Sequence, residues 1–283
     1  MFTIRKKEKL NESVSKMVLH APLIAKSIAA GQFVLIRVDE FGENIPLTVA
    51  QSDKTQGTIT IIYQTVGTTT LKLDQKSEGE YILDVTGPLG KKTELDGYKK
   101  IIIVSGGVGC AIAYPQTSAF FENGCDVELI SGFRNKELII LENEMQQIDE
   151  NLKIVTDNGS NGNKGLVTDV LLEKLKNSTD YDLVIAVGPI PMMRAVCGVT
   201  KEFNIKTMVS MTAIMIDGTG MCGGCRLTVD GQVKFACTDG PDFDGHKIDF
   251  EEAIHRSNTY KEEEKQSKEK YCRLLNAVGD KSK

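Results

Sequence analysis

Asp217, Cys222, Cys225 and Cys237 are the residues whose types and spacing could do chemistry: four potential metal ligands with four, two and eleven residues between them. The intervening Gly-Thr-Gly-Met and Gly-Gly are rich in glycine, which lets backbone wrap tightly around a bulky centre. A gap of four, then two, then a distant last ligand is the spacing of plant-type two-iron, two-sulfur centres. Here the first position is a carboxylate. Carboxylate is a harder donor than thiolate, so a cluster held through Asp217 should differ from an all-cysteine one in potential, acid lability or proton coupling. The competing reading makes Asp217-Gly218 a turn and gives the three cysteines to zinc with another ligand, because structural zinc sites also use CxxC pairs.

A second group of residues suits nucleotides. The continuous apolar run Ile101-Ile102-Ile103-Val104 leads into Ser105-Gly106-Gly107-Val108-Gly109, where glycine backbone can approach a phosphate and the following helix offers unpaired N–H groups. Ile112 stands where a third small residue completes the dinucleotide fingerprint, and glycine here also serves close strand-to-helix packing. Gly188-Pro189-Ile190-Pro191-Met192-Met193 follows the run Leu183 to Val187, at the strand end where doubly wound sheets bind ligands; a plain strand-to-helix turn with core methionines is the alternative. The polar stretch Asp157 to Gly165 is placed to line the same crevice, and Arg134 could contact a nucleotide ribose or phosphate or stand as a solvated Arg. Nearer the start, Thr48 in Ile45-Pro46-Leu47-Thr48 could hydrogen-bond a ring nitrogen. Tyr63 in Ile62-Tyr63-Gln64 could pack against a ring system, and Gly67-Thr68-Thr69-Thr70 could bind a pyrophosphate. Each of these also reads as ordinary barrel sequence. His20, His246 and His255 show no spacing for a metal site or catalytic triad and read as structural or surface residues.

The elements that must position these residues change in texture along the chain. Residues 1–98 carry short alternating runs such as Phe33 to Val38 and Thr58 to Tyr63 between Gly/Asp/Lys turns, which predicts an antiparallel barrel or sandwich. Residues 99–207 alternate continuous apolar strands with helical stretches, the pattern of a parallel, doubly wound α/β sheet. Residues 208–250 hold the candidate metal loop. Residues 251–283 form a charged tail, with Lys261-Glu262-Glu263-Glu264-Lys265 followed by Lys268, that reads as a solvated helix or as a docking arm for a partner.

Composition sets outer bounds. With 283 residues the chain exceeds one core, and its 41% hydrophobic and 26% charged content is that of an ordinary folded protein. A net charge of -5 argues against a nucleic-acid partner. No apolar run is long enough to span a bilayer and MFTIRKKEKL lacks the apolar core of a signal peptide, so the expected location is cytoplasmic, away from the membrane. Of seven cysteines, Cys110, Cys125, Cys197 and Cys272 lie outside the metal loop and read as small free thiols.

The order of parts, with Ile45-Pro46-Leu47-Thr48, Gly188-Pro189-x-Pro191-Met192-Met193, the Asp217 to Arg226 loop and Phe235-Ala236-Cys237-Thr238-Asp239-Gly240-Pro241, resembles the ferredoxin-NADP reductase superfamily. Within it the chain is most similar to the branch that holds the electron-transfer subunits of dihydroorotate dehydrogenase type B, over about residues 1–250. The resemblance implies FAD along Pro46, Leu47, Thr48, Ile62, Tyr63, Gln64, Thr69 and Thr70, and NAD(H) along Gly106, Gly107, Val108, Gly109, Asp157, Gly188, Pro189 and Met192. It implies a [2Fe-2S] cluster on Asp217, Cys222, Cys225 and Cys237, with no protein acid, base or nucleophile needed. It further implies an oxidoreductase subunit of an electron-bifurcating heterodimer. The larger partner would carry its own flavin and iron-sulfur clusters and bind NADP(H), and ferredoxin would be reached only through it. Service to a dihydroorotate-oxidising partner and a zinc-stabilised nucleotide-binding regulator are the alternatives. Relatives usually have Arg near position 45, where this chain has Asn44-Ile45.

Overall fold

The structure, a computed structural model, describes residues 1–279, with side chains to residue 274; residues 280–283 of the expected tail lie outside the described residues. Seven antiparallel strands form the first lobe: β1 (Phe2–Lys9), β2 (Val14–His20), β3 (Phe33–Arg37), β4 (Ile45–Asp53), β5 (Thr58–Gln64), β6 (Tyr81–Ile82) and β7 (Asp84–Leu89). Their order is β6-β1-β2-β5-β4-β3-β7, so the two ends of the sheet are consecutive pieces of chain separated by Leu83 alone. The sheet therefore curls until its edges meet, which removes the exposed edge an open sheet would carry. Met17 and Leu19, like Ile59, Ile61 and Tyr63, point inward at a period of two and fill the barrel. Helix α1 (Pro22–Ser27) follows β2, and α2 (Thr68–Gln75) follows β5.

The second lobe contains parallel strands β8 (Lys100–Gly106), β9 (Asp126–Phe133), β10 (Lys153–Thr156), β11 (Leu183–Val187) and β12 (Thr207–Ser210). They are joined by α3 (Gly109–Glu122), α4 (Glu142–Gln146), α5 (Val167–Asn177) and α6 (Ile190–Glu202). Ile101 and Ile103 face one apolar core and Ile102 and Val104 another, which is why the run has no polar alternation.

The third lobe is the hairpin β13 (Arg226–Val229) and β14 (Gln232–Phe235), followed by β15 (Asp242–Asp244). The structure does not respect the expected division at 207/208. β12 crosses it, and β15 returns from the third lobe to pair antiparallel with β12 at the edge of the α/β sheet. Two short strands carry too little periodicity to mark this in the sequence. Cys225 and Cys237 share one apolar core with Val104 and Val184 of the sheet and with Phe33 and Leu35 of the barrel. After α7 (Phe250–Ser257), capped by Asp249, α8 (Lys261–Gly279) lies against α2, with Ser267 Oγ 3.0 Å from Thr68 Oγ1 and the Tyr271 hydroxyl donating to Gln75 Oε1 at 2.7 Å. No described helix is long and apolar enough to cross a membrane.

Candidate functional site

The α/β sheet runs β10-β9-β8-β11-β12, so the chain leaves β8 in one direction and resumes on its other side at β11. Reversals of this kind open a crevice at the carboxyl ends of the two strands. Both glycine loops converge there. A Cβ at Gly106 would lie 2.5 Å from Met192 Sδ, one at Gly188 would lie 3.1 Å from Gly106 N, and one at Gly109 would lie 2.4 Å from the Val187 carbonyl oxygen. Gly106, Gly109, Gly188, Pro189 and Met192 are thus brought together, and at Gly109 the close backbone of Val187 and Gly188 leaves no room for a side chain. Gly107 has φ +57° and open space where a Cβ would stand, and Val108 follows at the start of α3. Asp157 is not part of this group. It follows β10, where its N–H donates to the Phe133 carbonyl at 3.0 Å, two strands or about 10 Å from β8.

On the barrel, Pro46, Leu47 and Thr48 are half-buried on β4, paired across to Leu35, Val34 and Phe33. Gln64 and Thr69 are also half-buried. The expectation that the Tyr63 ring packs against a ring system needs correction. Tyr63 does not present its ring for stacking: the side chain is 1% exposed inside the barrel, its hydroxyl is 3.4 Å from Asp74 Oδ1, and burial pushes its pKa up. Any contribution from Tyr63 is through its backbone. The Thr70 hydroxyl is already engaged, accepting from the Gly67 N–H and donating to the Gly67 carbonyl at the start of α2. Ile62 points out of the barrel, into the apolar cluster shared with the α/β lobe.

The metal loop is built by the third-lobe hairpin. Cys225 immediately precedes β13 and Cys237 lies two residues beyond β14, so the register that pairs Arg226 with Phe235 brings their sulfurs to 3.3 Å, at 1% and 2% exposure. Burial, reinforced by the neighbouring Cys225, pushes the Cys237 thiol up; the Gly220 N–H opposes the rise. Asp217 accepts from the N–H of Thr219 and of Cys222, each at 2.9 Å, and these bonds, Thr219 first, hold its carboxyl below the usual range. Cys222 is exposed, beside Met221. Among the described residues no three His, Cys, Asp or Glu side chains meet as a single-ion site. The donors form two pairs instead, Asp217 with Cys222 through the loop backbone and Cys225 with Cys237, linked by a loop with left-handed glycines at 218, 220 and 223. Three thiols and one carboxylate suit a thiolate-rich iron-sulfur centre better than a hard, oxygen-ligated ion.

Family models match two regions of the chain. Residues 212–249 match the iron-sulfur cluster binding domain of dihydroorotate dehydrogenase B, and residues 103–198 match the oxidoreductase NAD-binding domain. The chain is 44% identical over 277 residues to a dihydroorotate dehydrogenase B electron-transfer subunit homolog of Thermotoga maritima, covering 98% of this chain and 96% of the relative. It is 31% identical to the corresponding subunit of Shouchella clausii, over 85% of this chain and 94% of that one. A chain of the solved NADH-dependent reduced ferredoxin-NADP oxidoreductase superposes with a TM-score of 0.90 at 43% identity, covering 96% of this chain and 98% of that one. The barrel, the switch-point crevice and the cysteine loop are therefore those of an oxidoreductase, and the chain belongs to the family of dihydroorotate dehydrogenase B electron-transfer subunits and their homologues, on the ferredoxin-NADP reductase plan.

Proposed function

We propose that this chain is the NADH-linked electron-transfer flavoprotein subunit of an NADH-dependent ferredoxin:NADP oxidoreductase complex. The observation that carries the reading is the end-to-end superposition on that enzyme's chain, at 43% identity with a TM-score of 0.90. In this reading Gly106 to Gly109 and Gly188 to Met192 hold the nicotinamide nucleotide in the crevice. Pro46 to Thr48, with the backbone of Ile62 to Gln64 and the start of α2, hold FAD on the barrel, and Asp217, Cys222, Cys225 and Cys237 hold a [2Fe-2S] cluster. FAD, when bound, converts two-electron hydride traffic into the one-electron steps that a cluster accepts. The residues themselves bind, orient and shield. A larger subunit carrying its own flavin and clusters would take electrons from the cluster lobe and handle NADP(H) and ferredoxin.

Service to a dihydroorotate-oxidising partner is the second reading, favoured by the matched 212–249 domain and the 44% identical relative. The zinc regulator is set aside, since the same match is to an iron-sulfur domain within an oxidoreductase family. Anaerobic affinity purification from the native host tests the proposal: FAD, iron and acid-labile sulfide are quantified, NADH bleaching of the flavin is followed, and the co-purifying subunit is identified. A partner with its own flavin and four-iron clusters supports the first reading. A dihydroorotate-oxidising barrel supports the second, and zinc without sulfide or flavin would sink both.

A further inference from the structure

Asp217 is fixed from both sides by the barrel. On its N-terminal side, the Asn44 side-chain amide donates to the Ile216 carbonyl at 2.7 Å. A carbonyl only accepts, so the amide nitrogen must face it. On its C-terminal side Gly218, at φ +73°, sits so close to the barrel wall that a Cβ would lie 2.7 Å from Leu89 Cδ1 and 3.0 Å from Leu35 Cδ1. Neither contact is remote from the candidate flavin strand. Asn44 directly precedes β4, and Leu35 is the cross-strand partner of Pro46 on that strand. The strand proposed to hold FAD and the loop proposed to hold the cluster are therefore tied at two adjacent points, one polar and one apolar, with Asp217 between them.

We propose that Asn44 is a positioning residue for electron transfer: through the Ile216 carbonyl it fixes the Asp217 end of the cluster loop relative to the flavin strand. This rests on the assignment of FAD to β4 and of the cluster to the Asp217 loop. The buried core that Cys225 and Cys237 share with Phe33 and Leu35 is untouched by changes at Asn44, so the tie sets placement within an existing interface.

The test compares wild type with Asn44→Asp, of the same shape but with no donor for the carbonyl, and with Asn44→Gln, which keeps the donor on a stem one methylene longer. In the purified complex, FAD content, iron and sulfide content, the EPR spectrum of the reduced cluster, and stopped-flow rates of flavin and cluster reduction by NADH are measured. Asn44→Asp, which sets a carboxylate against the Ile216 carbonyl, is expected to retain both cofactors and wild-type flavin reduction, to show an altered cluster EPR spectrum, and to slow cluster reduction relative to wild type. Asn44→Gln recovers at least part of both signals. Wild-type cluster reduction and EPR spectrum in Asn44→Asp overturn the proposal, and so does an Asn44→Gln as impaired as Asn44→Asp. Wild-type protein lacking flavin, or lacking iron and sulfide, instead overturns the cofactor assignment beneath it.

Discussion

At the scale of single residues, the cysteine loop divides its work between a buried pair and an exposed arm. Cys225 and Cys237 are set 3.3 Å apart by the hairpin, whereas Cys222 faces solvent and the Asp217 carboxylate accepts from the N–H groups of Thr219 and Cys222. If Cys237 is a cluster ligand, its loss removes a thiolate, and Cys237→Ala is expected to lower iron and acid-labile sulfide in the purified complex well below wild type. FAD content should persist, because the barrel's own core is built from other residues. Asp217→Cys tests the carboxylate itself. Replacing a hard donor by a soft one should leave iron and sulfide content intact while changing the EPR spectrum and the midpoint potential of the cluster. An unchanged spectrum and potential would mean that Asp217 only shapes the turn.

At the scale of elements, the crevice depends on two strand-to-helix loops that touch. Their glycines are needed for different reasons, and substitution separates them. At Gly109 a Cβ meets the backbone oxygen of Val187 at 2.4 Å, which no rotamer change can relieve. Gly109→Ala should push the β11-α6 loop away, destabilise the α/β lobe by about 1–3 kcal/mol as overpacking does, and raise the KM for NADH. Thermal unfolding and steady-state flavin reduction read the two effects, and unchanged values for both would contradict the close packing. Much of this lobe was legible in the sequence, because strands buried on both faces leave apolar runs such as Ile101 to Val104 that periodicity detects. The iron-sulfur character of residues 212–249 was legible because cluster binding demands a few thiol-bearing residues at short, fixed spacing in a glycine-rich loop. The role of Asn44 was not legible, because its partner is the Ile216 carbonyl, which has no side-chain signature. Tyr63 misled for a related reason: inward and outward positions on a barrel strand differ by one residue, and Ile62-Tyr63 does not reveal which of the two faces in.

At the scale of the whole molecule, the three lobes meet at one buried carboxyl. Asp242 Oδ2, on β15, accepts from Thr93 Oγ1 at 2.9 Å, on the segment leaving the barrel, and from Gln116 Nε2 at 2.6 Å, on α3 of the α/β lobe. Its other oxygen, Oδ1, is buried with no hydrogen-bond partner among the described residues. Burial pushes the Asp242 carboxyl up to about 6, against the opposing hydrogen bonds led by that from Thr93. The folded-state pKa thus lies above the unfolded value of 3.8, so the folded chain binds this proton more tightly. The associated stability is complete below the unfolded value and is lost as pH rises to and through about 6; at most it amounts to about 3 kcal/mol, from the size of the shift. Asp242→Asn keeps the shape and cannot ionise. Thermal unfolding of both proteins at pH 5 and pH 8 should therefore show wild type losing stability between the two and the variant losing less. The variant's advantage should grow toward pH 8, by about 2–4 °C per kcal/mol for a chain of this size. An offset between the two proteins that is the same at both pH values would show that Asp242 is charged throughout, and that the junction is held by its ionised form.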